Sequence, residues 1–137
     1  MPTMQTVQTM IQAHPAETGV DRVQLARVVD LLIACSAACT VCADACLAED
    51  HVADMRACIR TDLDCADVCA ATARVLSRQT AYNASVTRGV LQACVVACRA
   101  CADECAAHGD MHEHCKVCAR ACQDCLQACE ELLAAIG

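Results

Sequence analysis

Residues 35–46 read CSAACTVCADAC, with cysteines at positions 35, 39, 42 and 46. Steps of four, three and four residues return a side chain to one face of an α-helix, as the a and d positions of a heptad do. The same register begins upstream with Leu25, Val28 and Leu32. The stretch therefore predicts one long helix whose buried face changes from aliphatic side chains to thiols.

Three further stretches carry cysteines at helical spacing. Residues 94–105 read CVVACRACADEC and residues 115–129 read CKVCARACQDCLQAC. The remaining stripe, at 58–69, is sparser, and Asp62 stands where the related fourth stripe has Cys122. The two halves of the chain therefore look like two related helical hairpins.

Glycine and proline fall mostly where helices could end, at Pro15, Gly19 and Gly109, and the residues between them favour helix over strand. Thr18 with Asp21, and Asp110 with Glu113, resemble helix starts. The sequence predicts helices near 3–13, 20–48, 51–77, 81–107 and 111–135.

Short connections between these helices make neighbours antiparallel. The predicted fold class is all-α, an antiparallel up-down-up-down four-helix bundle with a short extra N-terminal helix. We expect a single domain over 1–137, in which 1–19 holds the short helix and its connection and 20–137 holds the bundle.

Composition makes cysteine chemistry the main question. The 137 residues include 16 cysteines, no Phe or Trp and one Tyr, so thiols must line much of the interior. Spectator cysteines that act only as small hydrophobes remain one alternative, and a disulfide ladder is a second. The sequence lacks the compact cysteine run that binds an iron-sulfur cluster. A thiol-redox enzyme needs one exposed reactive pair rather than a packed column of cysteines. We do not expect an enzyme.

The first 19 residues do not resemble a secretory signal, so we expect a cytoplasmic protein whose thiols stay reduced. Charges interrupt the longest apolar stretches, which argues against a membrane span. A net charge of -7 without a basic tract argues against nucleic acid and anionic membranes as partners.

Soft thiolates suit both Cu(I) and Zn(II), and charge helps to choose between them. No Lys or Arg lies on the cysteine stripes, so the bound ions must neutralise the buried thiolates. One thiolate per Cu(I) gives a neutral core, whereas a zinc ion with four thiolates has two surplus negative charges. The stripes could hold about one Cu(I) per cysteine, which indicates storage of multiple ions.

In an up-down bundle, the turns near 49–50 and 108–110 lie at one end. That end, the mouth, is predicted to gather two methionines and three histidines as further ligands: His51, Met55, His108, Met111 and His112. His114 fits the register least well. The opposite end receives aliphatic side chains that would close it: Leu25, Val28, Leu32, Leu76, Leu91, Leu132 and Ile136.

Asp62 lies in register between Cys58 and Cys65, and we expect it to point inward as a ligand or hydrogen-bond partner. The other predicted core ligands are the cysteines: Cys35, Cys39, Cys42, Cys46, Cys58, Cys65, Cys69, Cys94, Cys98, Cys101, Cys105, Cys115, Cys118, Cys122, Cys125 and Cys129.

The three dense motifs make the sequence similar to the bacterial copper storage proteins, in particular their cytosolic branch, from about residue 20 to 137. The resemblance implies a four-helix bundle filled with Cu(I) and a homotetramer. A zinc or cadmium buffer and a structural protein with spectator thiols remain as alternatives. The sequence lacks the C-x-C pairs common in metallothioneins.

Overall fold

The structure is a computed structural model that describes residues 2–136, with side chains from Thr6 onward. Within that range it contains five α-helices and no strand. They are α1 (Pro2–Gln12), α2 (Arg22–Leu47), α3 (Arg56–Ser77), α4 (Ala84–Ala107) and α5 (Glu113–Ile136). Helices α2 to α5 pack each against its chain neighbour, and α5 packs back on α2. The predicted all-α four-helix bundle with an extra N-terminal helix is confirmed.

The helix starts differ in detail from those predicted. Asp21 caps α2, because its Oδ1 accepts hydrogen bonds from the backbone N–H groups of Val23 and Gln24. Thr18 does not take part in that cap, and its hydroxyl donates to Gln79 Oε1 instead. Glu113 is the first residue of α5, so Asp110 and Glu113 do not form the predicted capping box.

The helix predicted near 51–77 is divided at its start. A short 3-10 turn, Val52–Met55, precedes α3. This tighter winding follows the connection that leaves α2, and it turns the Met55 side chain into the core, where only 2% of the residue is exposed.

One end of the bundle is closed by aliphatic side chains, as predicted. Six of them are buried: Leu25, Val28, Leu32, Leu76, Leu91 and Leu132. Ile136 is half-buried beside them. Burial of these aliphatic side chains stabilises this end of the bundle by the hydrophobic effect and requires no metal ion.

Helix α1 packs along the outside of α2 through the buried Ile11. A part-buried hydrogen bond fixes its position, in which Gln8 Nε2 donates to Asp30 Oδ2 at 3.0 Å. Burial raises the pKa of Asp30, and the Gln8 bond lowers it in part. The N-terminal helix is therefore docked on the bundle rather than separate from it.

Helix α2 is long and apolar enough, by length and composition, to cross a membrane, with a mean hydropathy of 1.9 in its most apolar window. The charges in this stretch therefore do not by themselves argue against a membrane span. Half of that window is buried against the other helices, as it is in the core helix of a bundle.

Candidate metal centre

All 16 cysteines are buried, and all are free thiols. Helices α2 and α4 bring their cysteines to the bundle axis at steps of four, three and four residues, α5 does so at steps of three, four, three and four, and α3 adds the sparser fourth stripe. Neighbouring sulfurs on the axis lie about 3.6 to 4.0 Å apart, as between Cys39 and Cys122 (3.6 Å) and between Cys35 and Cys65 (4.0 Å). A disulfide needs about 2.05 Å, so none of these sulfur pairs is bonded in the structure.

The sulfurs form overlapping groups of four, and the potential ligand atoms within each group lie within 4.8 Å of one another. Starting near the closed end, the groups are Cys69/Cys94/Cys98/Cys125, Cys35/Cys65/Cys69/Cys98, Cys35/Cys39/Cys65/Cys122 and Cys39/Cys101/Cys118/Cys122. Each group shares two cysteines with the next. The core therefore offers a continuous column of bridging sulfurs rather than separate closed sites.

Asp62 points into this column and is fully buried, as its register predicts. Its Oδ1 atom accepts from the thiols of Cys101 at 3.0 Å, Cys105 at 3.3 Å and Cys118 at 3.3 Å. Burial, helped by the Cys101 thiol, raises the pKa of Asp62 to about 10. The carboxyl is therefore neutral at pH 7 in the metal-free protein, and a cation would have to displace its proton before the carboxylate could bind it.

Two thiols near the mouth resist ionisation in the metal-free protein. Burial is the main cause that raises the pKa of Cys46, and burial raises the pKa of Cys115 to about 11. Cys58 differs, because hydrogen bonds from neighbouring thiols, Cys105 first, lower its pKa to about 3. Because a thiolate is the metal ligand, an ion that binds Cys46 or Cys115 must displace protons. A buried column of this kind favours soft cations that bind sulfur strongly enough to do so.

His114, which fits the sequence register least well, is the histidine that lies against the thiols. Its Nδ1 atom is 3.4 Å from Cys42 Sγ and 3.6 Å from Cys115 Sγ. Together with Cys46 these residues form a further group able to hold an ion. The signal in the sequence is that His114 precedes Cys118 by one helical turn, on the α5 face that borders α2.

Glu49, a residue that sequence reasoning missed, joins two of the mouth histidines. Its Oε2 atom lies 2.8 Å from His114 Nε2 and 3.0 Å from His112 Nδ1. The His114 bond is the main reason why the pKa of Glu49 lies below its ordinary value. Glu49 follows α2, so this contact ties the turn after α2 to the start of α5.

The other predicted mouth residues differ in their placement. Met55 is buried at the base of the mouth, and His108 is half-buried and lies 3.2 Å from Glu104. His51 is exposed, and Met111 is 75% exposed. The structure thus brings Met55 and His112 toward the core, and it leaves His51 and Met111 at the surface.

Comparison with known proteins identifies the same cysteine-rich architecture elsewhere. The family described as Csp: Copper storage protein matches residues 21–134. The cysteine-rich protein YhjQ of Bacillus subtilis (strain 168) is 32% identical over 93 residues, covering 68% of this chain and 81% of that protein.

Solved structures of a related protein are also similar. The copper storage protein Ccsp from Streptomyces lividans, loaded with 10 copper equivalents, is 60% identical and superposes with a TM-score of 0.92, covering 93% of this chain and 98% of that chain. A structure of the cytosolic copper storage protein from the same organism with five coppers is 64% identical, with a TM-score of 0.83, and covers 85% of this chain and 98% of that chain.

Proposed function

The chain belongs to the Csp copper storage protein family, and from this we propose that it stores many Cu(I) ions in the cytosol on the sulfurs of its bundle core. The observation that carries the proposal is the column of overlapping four-sulfur groups, in which successive groups share cysteines. Shared sulfurs allow bridging, and bridging allows one thiolate to serve more than one ion. About one Cu(I) per cysteine, roughly 16 in all, is then a reasonable capacity.

Charge favours copper over zinc in this core. The buried polar and charged side chains number five among the described residues, and none of them is Lys or Arg. A zinc ion with four thiolates to itself has two surplus negative charges, which no described core residue offsets, and uncompensated buried charge is costly. Cu(I) with one thiolate per ion leaves the column neutral.

We assign the ligand roles as follows. The 16 cysteines hold the ions, and Asp62 supplies an oxygen where three thiols from α4 and α5 converge on it. His51, Met55, His108, Met111 and His112 accept Cu(I) at the mouth and pass it inward. His114 belongs to the same path, since it already contacts Cys42 and Cys115.

The proposed role is storage without catalysis, because the sulfurs are shared along a buried column and no thiol is set apart as an exposed nucleophile. We also propose that the protein assembles as a homotetramer, which the family resemblance supports. Light scattering on the reduced protein tests the assembly, and a mass of one or two chains would refute it.

The decisive experiment is an anaerobic titration of the reduced protein with Cu(I), with Zn(II) titrated in parallel. We expect tight binding of about one Cu(I) per cysteine, and far fewer zinc ions. Saturation by four or fewer Cu(I), or preferential retention of Zn(II) when both ions compete, would contradict the storage proposal.

A further inference from the structure

A surface groove between α2 and α5 reaches the sulfur column from the side of the bundle. Its volume is about 510 Å³, and its walls are the small or apolar side chains of Ala37, Ala38, Val41 and Val117. Cys42, His114 and Cys118 also line it. Two of the thiols assigned to copper therefore lie at the base of a groove in the wall of the bundle.

Of three helix–helix grooves of this size in the described residues, only this one has cysteines in its lining. Grooves of about 590 Å³ between α2 and α3 and about 550 Å³ between α3 and α4 have no cysteine in their lining. Both cysteines are buried, so a reagent in the groove reaches them only when the side chains that line it move apart.

The size and charge of the groove restrict what could use it. A volume of this order holds a small molecule and not a folded protein. Glu113 is the one acidic side chain in the lining, and no Lys or Arg contributes to it. A small ligand without negative charge therefore fits best, and a soft sulfur atom in that ligand would match the thiols at the base.

We propose that this groove is a lateral exchange site, at which a small uncharged thiol reaches Cu(I) held by Cys42 and Cys118 without first passing the outer thiols Cys46 and Cys115. The proposal rests on the copper storage function. The step is a ligand exchange without a redox change. The Cu–S bond to a cysteine breaks, a Cu–S bond to the incoming sulfur forms, and the proton of the incoming thiol moves to the released cysteine sulfur.

Entry through the mouth and entry through the groove would expose the cysteines to a reagent in opposite orders. Cys46 and Cys115 lie about one helical turn nearer to the mouth than Cys42 and Cys118. A reagent that enters only at the mouth meets the outer pair first. A reagent that enters through the groove meets Cys42 and Cys118 first.

The test uses the full-length, reduced, metal-free protein and limiting iodoacetamide, a small uncharged reagent, with peptide mass spectrometry at early times. We expect Cys42 and Cys118 to be alkylated several-fold faster than Cys46 and Cys115. Equal rates, or faster reaction of the outer pair, would overturn the lateral site. Because no copper is present, the result stands whether or not the storage proposal holds.

A matched pair of variants separates access from intrinsic reactivity. Ala38→Leu fills the groove beside α5, and Ala97→Leu makes the same change in the cysteine-free groove between α3 and α4. We expect only Ala38→Leu to slow alkylation of Cys42 and Cys118. In the copper-loaded protein, only Ala38→Leu should slow copper removal by β-mercaptoethanol several-fold. An equal effect of both variants, or no effect of either, would refute the exchange role.

Discussion

The Oδ1 atom of Asp62 accepts a hydrogen bond from the Cys101 thiol at 3.0 Å, and both residues are fully buried in the core. An acid placed there prefers its neutral form. The first prediction concerns what this preference does to the metal-free protein.

We predict that the free energy of unfolding of the reduced apo protein falls as pH rises from 5 to 8. Folding raises the pKa of Asp62 from 3.8 to about 10, so the folded state retains a proton that the unfolded state has lost. Stability then decreases with pH, by at most about 1.4 kcal/mol per unit. Urea unfolding at several pH values measures the slope.

Asp62→Asn should remove most of that pH dependence, because the amide imitates the neutral acid. Asp67→Asn, an exposed change on the same helix, serves as the control and should keep the wild-type slope. A wild-type slope in Asp62→Asn would show that the carboxyl is not the group responsible.

The second prediction is that the bundle folds before any metal binds. The aliphatic plug needs no ion, so far-ultraviolet circular dichroism of the reduced apo protein should already show a helical spectrum that Cu(I) changes little. Leu91→Ala should cost about 2 to 5 kcal/mol of stability and leave copper capacity unaltered. Leu63→Ala, at a position 46% exposed, should cost far less. A disordered apo protein that gains helix only with copper would contradict this prediction.

The third prediction is graded capacity. Cys98 belongs to two of the four-sulfur groups, and its neighbours are shared with others. Cys98→Ala should therefore lower the bound copper by one or two ions, measured by anaerobic titration with a competing chelator. Ser36→Ala, outside the sulfur column, is the control and should retain full capacity. Complete loss of binding in Cys98→Ala would indicate one discrete site instead of a column.

The fourth prediction is that the mouth residues control the rate of Cu(I) uptake. Replacing Met55, His108 and Met111 together with Ala should slow Cu(I) uptake from a chelator, because thioether and imidazole groups are neutral ligands that pass the ion on more readily than thiolates do. Final loading should stay within a few ions of wild type. Stopped-flow absorbance measures the rate. Unchanged uptake in this variant, with slower uptake after Leu32→Ala or Leu132→Ala, would place the entrance at the other end.

The fold was predictable because cysteine, like leucine, marks the buried face of each helix. Spacing alone predicted that the Asp62 side chain points into the core, since Cys58 and Cys65 flank it in register. The first turns of the helices were less predictable. Thr18 and Asp21 are both acceptable caps by residue type, and Asp21 is the cap because the chain turns at Gly19, with φ of 82°, and α2 begins only at Arg22.

The mouth was predicted less well than the core. The register from Met111 to Cys115 places His114 beside the cysteine stripe and not on it. Its side chain nevertheless meets Cys42, because it lies on the face of α5 that borders α2. Glu49 had no signal within its own segment, because its two histidine contacts depend on how the turn after α2 meets the start of α5. Contacts of this kind follow from packing geometry, which helical periodicity does not contain.

The sharing of two cysteines between successive four-sulfur groups makes the column behave as a one-dimensional lattice with nearest-neighbour coupling. An ion bound in one group fixes two thiolates of the adjoining group in place. The next ion then requires less ordering and less deprotonation, so its binding is more favourable. A partly filled molecule should then carry its copper as a contiguous run with one advancing boundary, and a population at half capacity should consist of long occupied stretches rather than scattered single ions.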